Sequence, residues 1–524
     1  MLRRHGALLT AWGLAFALVL SACDNGSTPT PGPPVSGGEL RVDVRDLGSL
    51  DPATATGRGA LLALSQLFDP LTTVDPATGE PKPGAATWVT SPDGLTVTFT
   101  IVPATYHDGT KVRPFDFKAT FDRIARKATN SDLAFQFEAV KGFHAAKIAG
   151  TAQGLAGVQA GPTQLKILLD RPFAELPLFL AHPALGPLPP SMIASGARLQ
   201  RRPIGNGPFK MTEDRSSDTV TLERFDDHAG GKAYLDRVQI RLVNDAEQGW
   251  RDFLANRTDI AEVPAEAIPG SRSRAGSGGF GPFWAALYYG LNLRNPAFAK
   301  PEVRKALSLA IDRKQIAEVV YGGTKEEAAG IIPRGVRGFT ERACADCVRD
   351  LDRARSLINA AFGGKPPELT IDHLNASPSK EVAEAIAGDL QEAGLKVALR
   401  AHNSTDYLKL LQAGQHQIAE LGWLSEVPSP DGFLAQQLRT GSPNNHTGFA
   451  DGAFDAAIDQ ARKQQDETKR LAAYRAAEKR AFELMPLIPI VFFHNHIGVA
   501  SRIRGMRIDG AGLFDAAAVW IAPA

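Results

Sequence analysis

Two histidines near the end of the chain have the type and spacing that metal binding requires. His494 and His496 lie in the segment FFHNHI, and a separation of two residues places both side chains on the same face of a strand. A protein-bound metal would need further ligands beside them, such as a carboxylate or a third histidine. Because the neighbouring sequence supplies neither, we predict structural histidines and no metal site.

Cys23 follows an apolar segment at the start of the chain. Two arginines precede the run Gly6–Leu20, which is typical of an export signal and, at about 15 residues, is shorter than the ~20 of a spanning helix. The run ends in LSAC, which resembles the lipobox of bacterial lipoproteins, where the thiol takes a diacylglyceryl group. We predict a signal peptide over residues 1–22, lipid attachment at Cys23, and a Pro-, Gly-, Ser- and Thr-rich tether over residues 23–38. The alternatives are a plain secretory signal with an incidental cysteine, or an uncleaved membrane helix.

The other two cysteines, Cys344 and Cys347, form the segment CADC. A metal knuckle would need two further ligands in register. A redox CxxC would need a strand before it and a helix after it, whereas an arginine-rich loop precedes this pair. In an oxidising exterior, the spacing favours a local disulfide.

Composition and motifs exclude several classes of protein. The chain has 524 residues with a formal net charge of +1, and 44% of its residues are hydrophobic and 22% charged. This length exceeds one ordinary core, and the neutral balance argues against a nucleic-acid partner. Neither a GxSxG elbow nor an HExxH helix occurs. We therefore predict a soluble monomer of at least two lobes that is not an enzyme and binds no cofactor.

Alternating strand and helix patterns supply the framework for these residues. Strands are predicted at Gly38–Val44 and at Leu95–Ile101, where the second follows a turn and forms a hairpin, and helices at Ala60–Phe68 and Phe115–Ile124. Lys305–Ile316 has one apolar face and predicts a single core-facing helix.

The segment Phe283–Leu293 alternates like a strand. Its more apolar face carries Phe283 and Leu287, and the opposite face carries Trp284 and Tyr288. That second face either lines a cleft or packs against a helix.

Ordered segments along the chain resemble family 5 extracellular solute-binding proteins, the group that contains dipeptide, oligopeptide and nickel binders. The likeness covers essentially the whole mature chain. It is carried by LDP at Leu50, LFDPLTTVDPATGEPKPG from Leu67, YHDGTKVRPFDFKATFDRI from Tyr106, PIGNGPFKM from Pro203, LYYGLNLRNPAFAKPEVRKALSLAIDRKQI from Leu287, GWLSEVPSPDGFLAQQL from Gly422 and MPLIPIVF from Met485.

This resemblance implies an α/β fold, a two-lobed clamp like the class II periplasmic binding proteins, with the extra subdomain of peptide binders in lobe I. The implied ranges are 39–284 for lobe I with the subdomain at 75–195, 285–489 for lobe II, and 490–524 for a return to lobe I, with crossings near Trp284 and Ile490. The implied function is to bind a solute outside the cytoplasm, in the periplasm or on the outer face of the membrane. The implied partners are ABC permease subunits, and the protein would reach the membrane through its lipid anchor.

The same resemblance implies a ligand site. In peptide binders of this family, an aspartate shortly after a Gly-Trp pair holds the ligand ammonium, and here the matching position is Glu426, one methylene longer. Trp423 is then expected to form an aromatic wall, and Trp284 to line the cleft. Thr56 and Arg58 lie in the loop that approaches the ligand. The alternative is that Glu426 is a solvated loop carboxylate.

The sequence departs from the family where the ligand carboxylate is bound. The loop DHLNASPSK after Leu369–Ile371 has no arginine, and Glu420 stands where oligopeptide binders place one. Arg58 is the candidate replacement. We therefore predict a peptide cargo, with three alternatives: nickel or a metal chelate, an oligosaccharide, or a signalling or scaffold lipoprotein that has lost transport.

Overall fold

The computed structural model describes residues 33–275 and 278–523 of the chain. The predicted signal peptide, the lipid attachment at Cys23 and most of the predicted tether lie outside these residues. No helix in the described ranges combines the length and the apolar character that crossing a membrane requires.

The strands fall into two groups along the chain. Those before residue 280 are β1 (Glu39–Val44), β2 (Thr72–Val74), β3 (Pro81–Pro83), β4 (Ala86–Thr90), β5 (Thr96–Ile101), β6 (Val158–Ala160), β7 (Gln164–Leu168), β8 (Phe209–Lys210), β9 (Thr219–Arg224), β10 (Arg237–Leu242) and β11 (Ile260–Glu262). Those that follow are β12 (Phe280–Leu291), β13 (Glu326–Glu327), β14 (Glu368–Leu374), β15 (Lys396–His402), β16 (Ile418–Leu424), β17 (Leu487–Val499), β18 (Ile503–Arg504) and β19 (Trp520–Ile521).

The α-helices also span both halves. The first seven are α1 (Arg58–Leu67), α2 (Pro114–Ala125), α3 (Leu176–Phe179), α4 (Pro190–Ala194), α5 (Gly196–Arg201), α6 (Ala246–Leu254) and α7 (Ile268–Ala275). The others are α8 (Pro301–Ala310), α9 (Arg313–Gln315), α10 (Leu351–Phe362), α11 (Ser379–Glu392), α12 (Ser404–Ala413), α13 (Pro430–Leu438), α14 (Gly452–Lys463) and α15 (Glu467–Leu484).

One mixed sheet links the two halves of the chain. Within the described residues it has eleven strands in the order β15-β14-β16-β12-β17-β11-β1-β10-β9-β8, and β13 pairs with β17 beside this path. Strand β17 is antiparallel to β12 from Leu487 to His496 and to β11 from Ile497 to Val499. Strands β12 and β17 therefore connect the sheet of the first half to that of the second. The lobe boundaries given above stay predictions.

A smaller sheet lies within the range predicted for the extra subdomain. Its four strands have the order β4-β5-β7-β6 and are all antiparallel. Helix α2 buries Phe117, Phe121 and Ile124, which belong to the main hydrophobic cluster together with Val97 and Ile167 of the sheet. This sheet and its helix carry the loops that form one wall of the cavity described below.

The local patterns of the first half are confirmed. Strands β1 and β5 and helices α1 and α2 lie where apolar periodicity predicts them, and β4 and β5 pair as a hairpin. In β5 and α2 the buried side chains follow periods of 2 and 3.6 residues, whereas α1 is buried on nearly all sides.

The single helix predicted for Lys305–Ile316 is wrong. Helix α8 ends at Ala310, Ile311 is extended, and α9 begins at Arg313. The backbone N–H of Asp312 donates to Asp389 Oδ2 at 2.9 Å, and the Asp312 side chain accepts the N–H of Gln315. The break is fixed by a helix that lies 77 residues further along the chain.

Strand β12 is buried on both faces. Trp284 and Tyr288 belong to the main hydrophobic cluster, whereas Leu287, Tyr289 and Leu291 belong to a second cluster with helices α8, α10 and α11. Trp284 and Tyr288 are buried, so packing covers this face of the strand.

Cys344 and Cys347 are joined by a disulfide, with their Cα atoms 5.4 Å apart. Both residues are buried beside α8, where Ser308 Oγ lies 3.7 Å from Cys347 Sγ. The bond thus closes a short loop against a helix of the second half.

Candidate functional site

Two large cavities flank the loop between β1 and α1. The larger, of about 1030 Å³, lies between this loop and the ends of β16 and α13, and segments 130–148 and 170–182 complete its wall. The smaller, of about 630 Å³, is lined by the ends of β1 and β11 and by the central part of β17. The cavities adjoin at consecutive residues, since Gly57 lines the larger and Arg58 the smaller.

Three of the five predicted ligand residues come together in the larger cavity. Thr56, Trp423 and Glu426 all line it, although the first lies in the N-terminal half and the others in the C-terminal half. Arg58 lines only the smaller cavity. The structure thus divides the predicted set between two adjoining spaces.

Trp284, which is predicted to line the cleft, lines neither of these two cavities. Its indole N–H donates to the carbonyl of Gly335 at 3.1 Å, and its backbone N–H donates to Gly510 O at 2.7 Å. A side chain at Gly510 would overlap the indole ring. The indole ring is therefore packed against the segments around Gly335 and Gly510. These segments lie far from Trp284 in the sequence.

The end of β16 holds Trp423 and Glu426 in place. Trp423 pairs with Ala286 of β12, and directly after the strand the backbone N–H of Ser425 donates to Trp284 O at 2.9 Å. Ser425 Oγ then donates to Val427 O at 2.7 Å. These hydrogen bonds fix a sharp bend of the backbone at Ser425–Val427. The Glu426 side chain therefore lines the cavity from a backbone that is held in place.

Glu426 is a half-buried carboxylate without a cationic partner. Burial raises its pKa, and its own backbone N–H opposes this only partly. No Lys, Arg or His nitrogen lies within 4.0 Å of its oxygens in the part of the chain that the structure describes. Since a carboxylate removed from water is costly unless it is paired, the site favours a ligand that brings a positive charge.

Two N–H donors beside Glu426 also lack acceptors. The indole nitrogen of Trp423 and Nε2 of His182 are buried, and neither has a hydrogen-bond partner among the described residues. Both side chains line the same small recess as Glu426. His182 Nδ1 accepts the N–H of Ala184 at 3.1 Å, which places the ring proton on Nε2. Burial lowers the pKa of His182 to about 4, so the ring is neutral at ordinary pH.

His182 is the main residue that sequence reasoning missed. It stands in AHPALG, which has no catalytic or metal-binding pattern, and Trp423 of the same recess lies 241 positions further along the chain. Phe135, which lies edge-on to Trp423 with ring centroids 6.5 Å apart, was missed for the same reason. No local sequence pattern indicates His182, and it is noticed only because the structure buries its polar side chain.

The charge of the larger cavity is negative. Its lining includes four carboxylates, Asp132, Glu138, Asp170 and Glu426, but only two cations, Lys147 and Arg171. Arg171 is engaged by Glu138, and Lys147 donates to Ser131 O at 2.9 Å. This wall therefore attracts the cationic end of a ligand.

Hydrogen bonds of Asp51 hold the start of the loop Ala53–Gly57 in place. Asp51 accepts both terminal guanidinium nitrogens of Arg123 at 2.6 Å, and it also accepts the backbone N–H of Ala53 at 3.1 Å. Gly57, with φ at 85°, then turns the chain into α1. Thr56 is exposed at the edge of the larger cavity as a result.

The histidine pair has a neighbour that the sequence did not predict. His494 Nε2 lies 3.1 Å from Glu326 Oε2, because β13 pairs with β17. The expectation that no carboxylate lies beside the pair is therefore wrong. Glu326 is itself engaged by Arg334, and no group of three or more His, Cys, Asp and Glu in the described ranges could hold a metal ion.

A clamp-shaped α/β protein with a cleft between its halves is the class that this fold and site define. The sequence model for bacterial extracellular solute-binding proteins, family 5 (middle region), matches residues 80–445. The chain belongs to this family, and it is a two-lobed extracytoplasmic binding protein, not an enzyme.

Relatives and solved structures agree over nearly the full length. The chain is similar to the oligopeptide-binding protein OppA of Bacillus subtilis (strain 168), with 26% identity over 531 residues that cover 95% of this chain and 96% of the relative. It is 28% identical over 492 residues to the periplasmic murein peptide-binding protein MppA of Escherichia coli (strain K12), covering 88% of each. The unliganded open form of MppA matches with a TM-score of 0.81 and 26% identity, covering 94% of this chain and 99% of that one.

Proposed function

We propose that this protein is the substrate-binding lipoprotein of an ABC importer and that it captures peptides between its two lobes. The two relatives named above are an oligopeptide binder and a murein peptide binder, which supports a peptide cargo. The proposal includes the roles of Glu426, Trp423 and Thr56 as ligand-binding residues.

The observation that carries the proposal is the recess around Glu426. It offers one carboxylate without a cation and two N–H donors without acceptors. The first residue of a peptide presents an ammonium group and, three bonds from its nitrogen, a carbonyl oxygen. The ammonium complements Glu426, and the carbonyl complements the N–H of Trp423 or of His182. A metal ion or a neutral sugar would leave part of this set unpaired.

Binding then acts on the clamp as a whole. A ligand that touches both halves stabilises the arrangement in which they are close, and it shifts the population by its difference in affinity for the two states. The larger cavity is lined from both halves, so a peptide lying in it contacts both. The permease would recognise the closed form.

Native mass spectrometry of freshly purified protein, followed by titration of a retained or synthetic peptide, tests the cargo. We expect peptide masses, and we expect Glu426→Gln to weaken binding about 10- to 100-fold, since a charge-assisted hydrogen bond contributes about 1.5–3 kcal/mol. Glu318→Gln, at an exposed helical carboxylate, is the matched control.

Other results would point to the alternatives. Nickel, chelate or sugar masses would replace the peptide cargo. An affinity that Glu426→Gln leaves unchanged would remove Glu426 from the site. A protein that binds no solute, encoded without a neighbouring permease and ATPase, would be a signalling or scaffold lipoprotein.

The membrane anchor is the second part of the proposal. The sequence LSAC at Leu20–Cys23 and the polar tether after it support a lipid on Cys23. Labelling cells with a radioactive fatty acid should mark the wild-type protein and not Cys23→Ser. Equal labelling of both would contradict the anchor.

A further inference from the structure

The smaller cavity contains two cations, Arg58 and Lys325, that form no ion pair within 4.0 Å among the described residues. Its charged lining residues are Asp43, Arg45, Asp46, Arg58, Glu262 and Lys325. Arg45 forms a two-point contact with Glu262 at 2.6 and 3.0 Å. Asp43 is bound by Arg241, which lies outside the lining, at 3.0 and 2.9 Å. Arg58 and Lys325 therefore remain, with Asp46 as the single carboxylate not held by an arginine.

Asp46 does not neutralise either cation directly. One of its oxygens accepts the backbone N–H of Gly59 at 3.2 Å. No oxygen of it lies within 4.0 Å of a nitrogen of Arg58 or Lys325 in the ranges that the structure describes. Glu262, Asp509 and Asp46 act on Arg58 only from a longer distance. The smaller cavity thus holds two cations without a contacting carboxylate, and the adjoining larger cavity holds Glu426, a carboxylate without a contacting cation.

Lys325 projects from the segment that leads into β13. Its ammonium lies 4.7 Å from the ring centroid of Phe493, and the side chain is half-buried. Burial lowers its pKa, and Glu262 only partly offsets this from a distance. No ion pair of Lys325 occurs among the residues described. A cation held over an aromatic face and partly removed from water is one that an anionic ligand would stabilise.

Arg58 approaches the same cavity from the first residue of α1. Its Nε–H donates to Gly512 O at 3.1 Å, which fixes the plane of the guanidinium group. Its two terminal nitrogens have no acceptor in the described part of the chain. A guanidinium oriented in this way can offer two parallel N–H groups to a carboxylate.

Given the proposed peptide cargo, on which this inference rests, we propose that Lys325 and Arg58 bind the carboxylate of the peptide in the smaller cavity, while Glu426 binds its ammonium in the larger one. The peptide backbone would pass along Thr56–Arg58, where the two cavities adjoin. The chain thereby replaces the arginines that it lacks near Glu420 and after Leu369–Ile371 with cations from two other elements. The cargo is then a peptide with both ends free.

Competition between free-acid and amidated peptides tests this assignment. The mature protein is incubated with random tri- to pentapeptides synthesised in equal amounts as free acids and as C-terminal amides, and the retained peptides are identified by mass spectrometry. We expect the free acids to be enriched about 10- to 100-fold, because an amide cannot form the charge-assisted bonds.

Variants assign the preference to the two cations. Lys325→Met should lower the enrichment to a few-fold, and Lys325→Arg should restore most of it, which also shows that the site tolerates substitution. Arg58→Met should lower it as well. Lys409→Met, at an exposed lysine on α12, is the control and should keep the full preference.

The outcomes separate this inference from the proposed function. Peptides retained without any preference for the free acid would overturn the role of Lys325 and Arg58 and leave the peptide cargo intact. A preference that persists in both methionine variants would place the carboxylate elsewhere and would also overturn the inference. Retention of no peptide at all would contradict both proposals.

Discussion

Glu426 differs from the buried Glu478 of the second half in what surrounds it. Glu478 accepts the backbone N–H groups of Ile331 and Ile332 at 2.8 and 3.1 Å. That carboxylate is therefore engaged by the fold. Glu426 has no cation beside it and faces a cavity, which is the environment of a group that acts on a ligand.

With Glu426 as the proposed ligand of the peptide ammonium, its raised pKa should make peptide affinity depend on pH. Burial raises this pKa above 4.5 in the free protein, so the carboxylate gains a proton at a higher pH than an ordinary glutamate. The protonated form cannot attract the ammonium. We therefore expect the association constant to be constant well above this raised pKa and to fall as the pH drops below it, by up to tenfold per pH unit.

Isothermal titration between pH 4.5 and 8 measures this dependence. Glu426→Gln should show a weaker affinity that changes little over the same range, because the titrating group is absent. His182 contributes little over most of this range, since burial lowers its pKa to about 4. Identical pH profiles for both proteins would assign the proton to another group.

At the scale of elements, the loop between β1 and α1 depends on one glycine. Gly57 has φ at 85°, and a Cβ at this position would overlap the Asp46 carboxylate. Because the loop separates the two cavities, its course affects both ends of the proposed peptide site.

Gly57→Ala is expected to lower the free energy of unfolding by about 1–2 kcal/mol, since a side chain disfavours this backbone conformation. It should also weaken peptide binding, because Thr56 and Arg58 move with the loop. Gly388→Ala, in α11 where a Cβ meets nothing within 4 Å, should be neutral or stabilising by up to about 1 kcal/mol. Urea denaturation of both variants measures the difference, and equal effects would contradict the role given to Gly57.

Elements whose boundaries depend on local sequence could be predicted, and those fixed by distant contacts could not. Strand β1 and helix α2 follow from periodicity alone. The break between α8 and α9 depends on Asp389, and the burial of Trp284 depends on Gly335 and Gly510. Such contacts join residues far apart in sequence, and no local pattern encodes them.

The residues of the candidate site could likewise be predicted only in part from the sequence. The family resemblance led to Glu426, Trp423, Thr56 and Arg58, because ordered motifs carry their positions. It did not lead to His182 or Lys325, which resemble no motif. The reason is physical: both residues are distinguished by burial and by the absence of a partner among the described residues, and these properties arise only when separate segments meet.

At the scale of the whole molecule, Glu175 joins the two halves of the chain outside the cavities. This buried residue, at the start of α3, accepts a hydrogen bond from the Ser429 hydroxyl at the start of α13. The hydroxyl of Tyr474 lies 3.4 Å from the same carboxylate, and Arg470 Nε lies 3.5 Å from its other oxygen. The contact thus connects the predicted extra subdomain to helices α13 and α15.

Glu175→Ala should lower the free energy of unfolding by about 2–4 kcal/mol, because it leaves Arg470 without its carboxylate and the Ser429 hydroxyl without its acceptor in a buried position. Urea denaturation measures this loss, and hydrogen exchange should become faster at the backbone N–H groups of α13. Glu384→Ala, at an exposed carboxylate on α11, should change stability by no more than about 0.5 kcal/mol. If the two variants were equally stable and exchange at α13 stayed slow, the halves would be joined by their apolar contacts and by β12 and β17 alone.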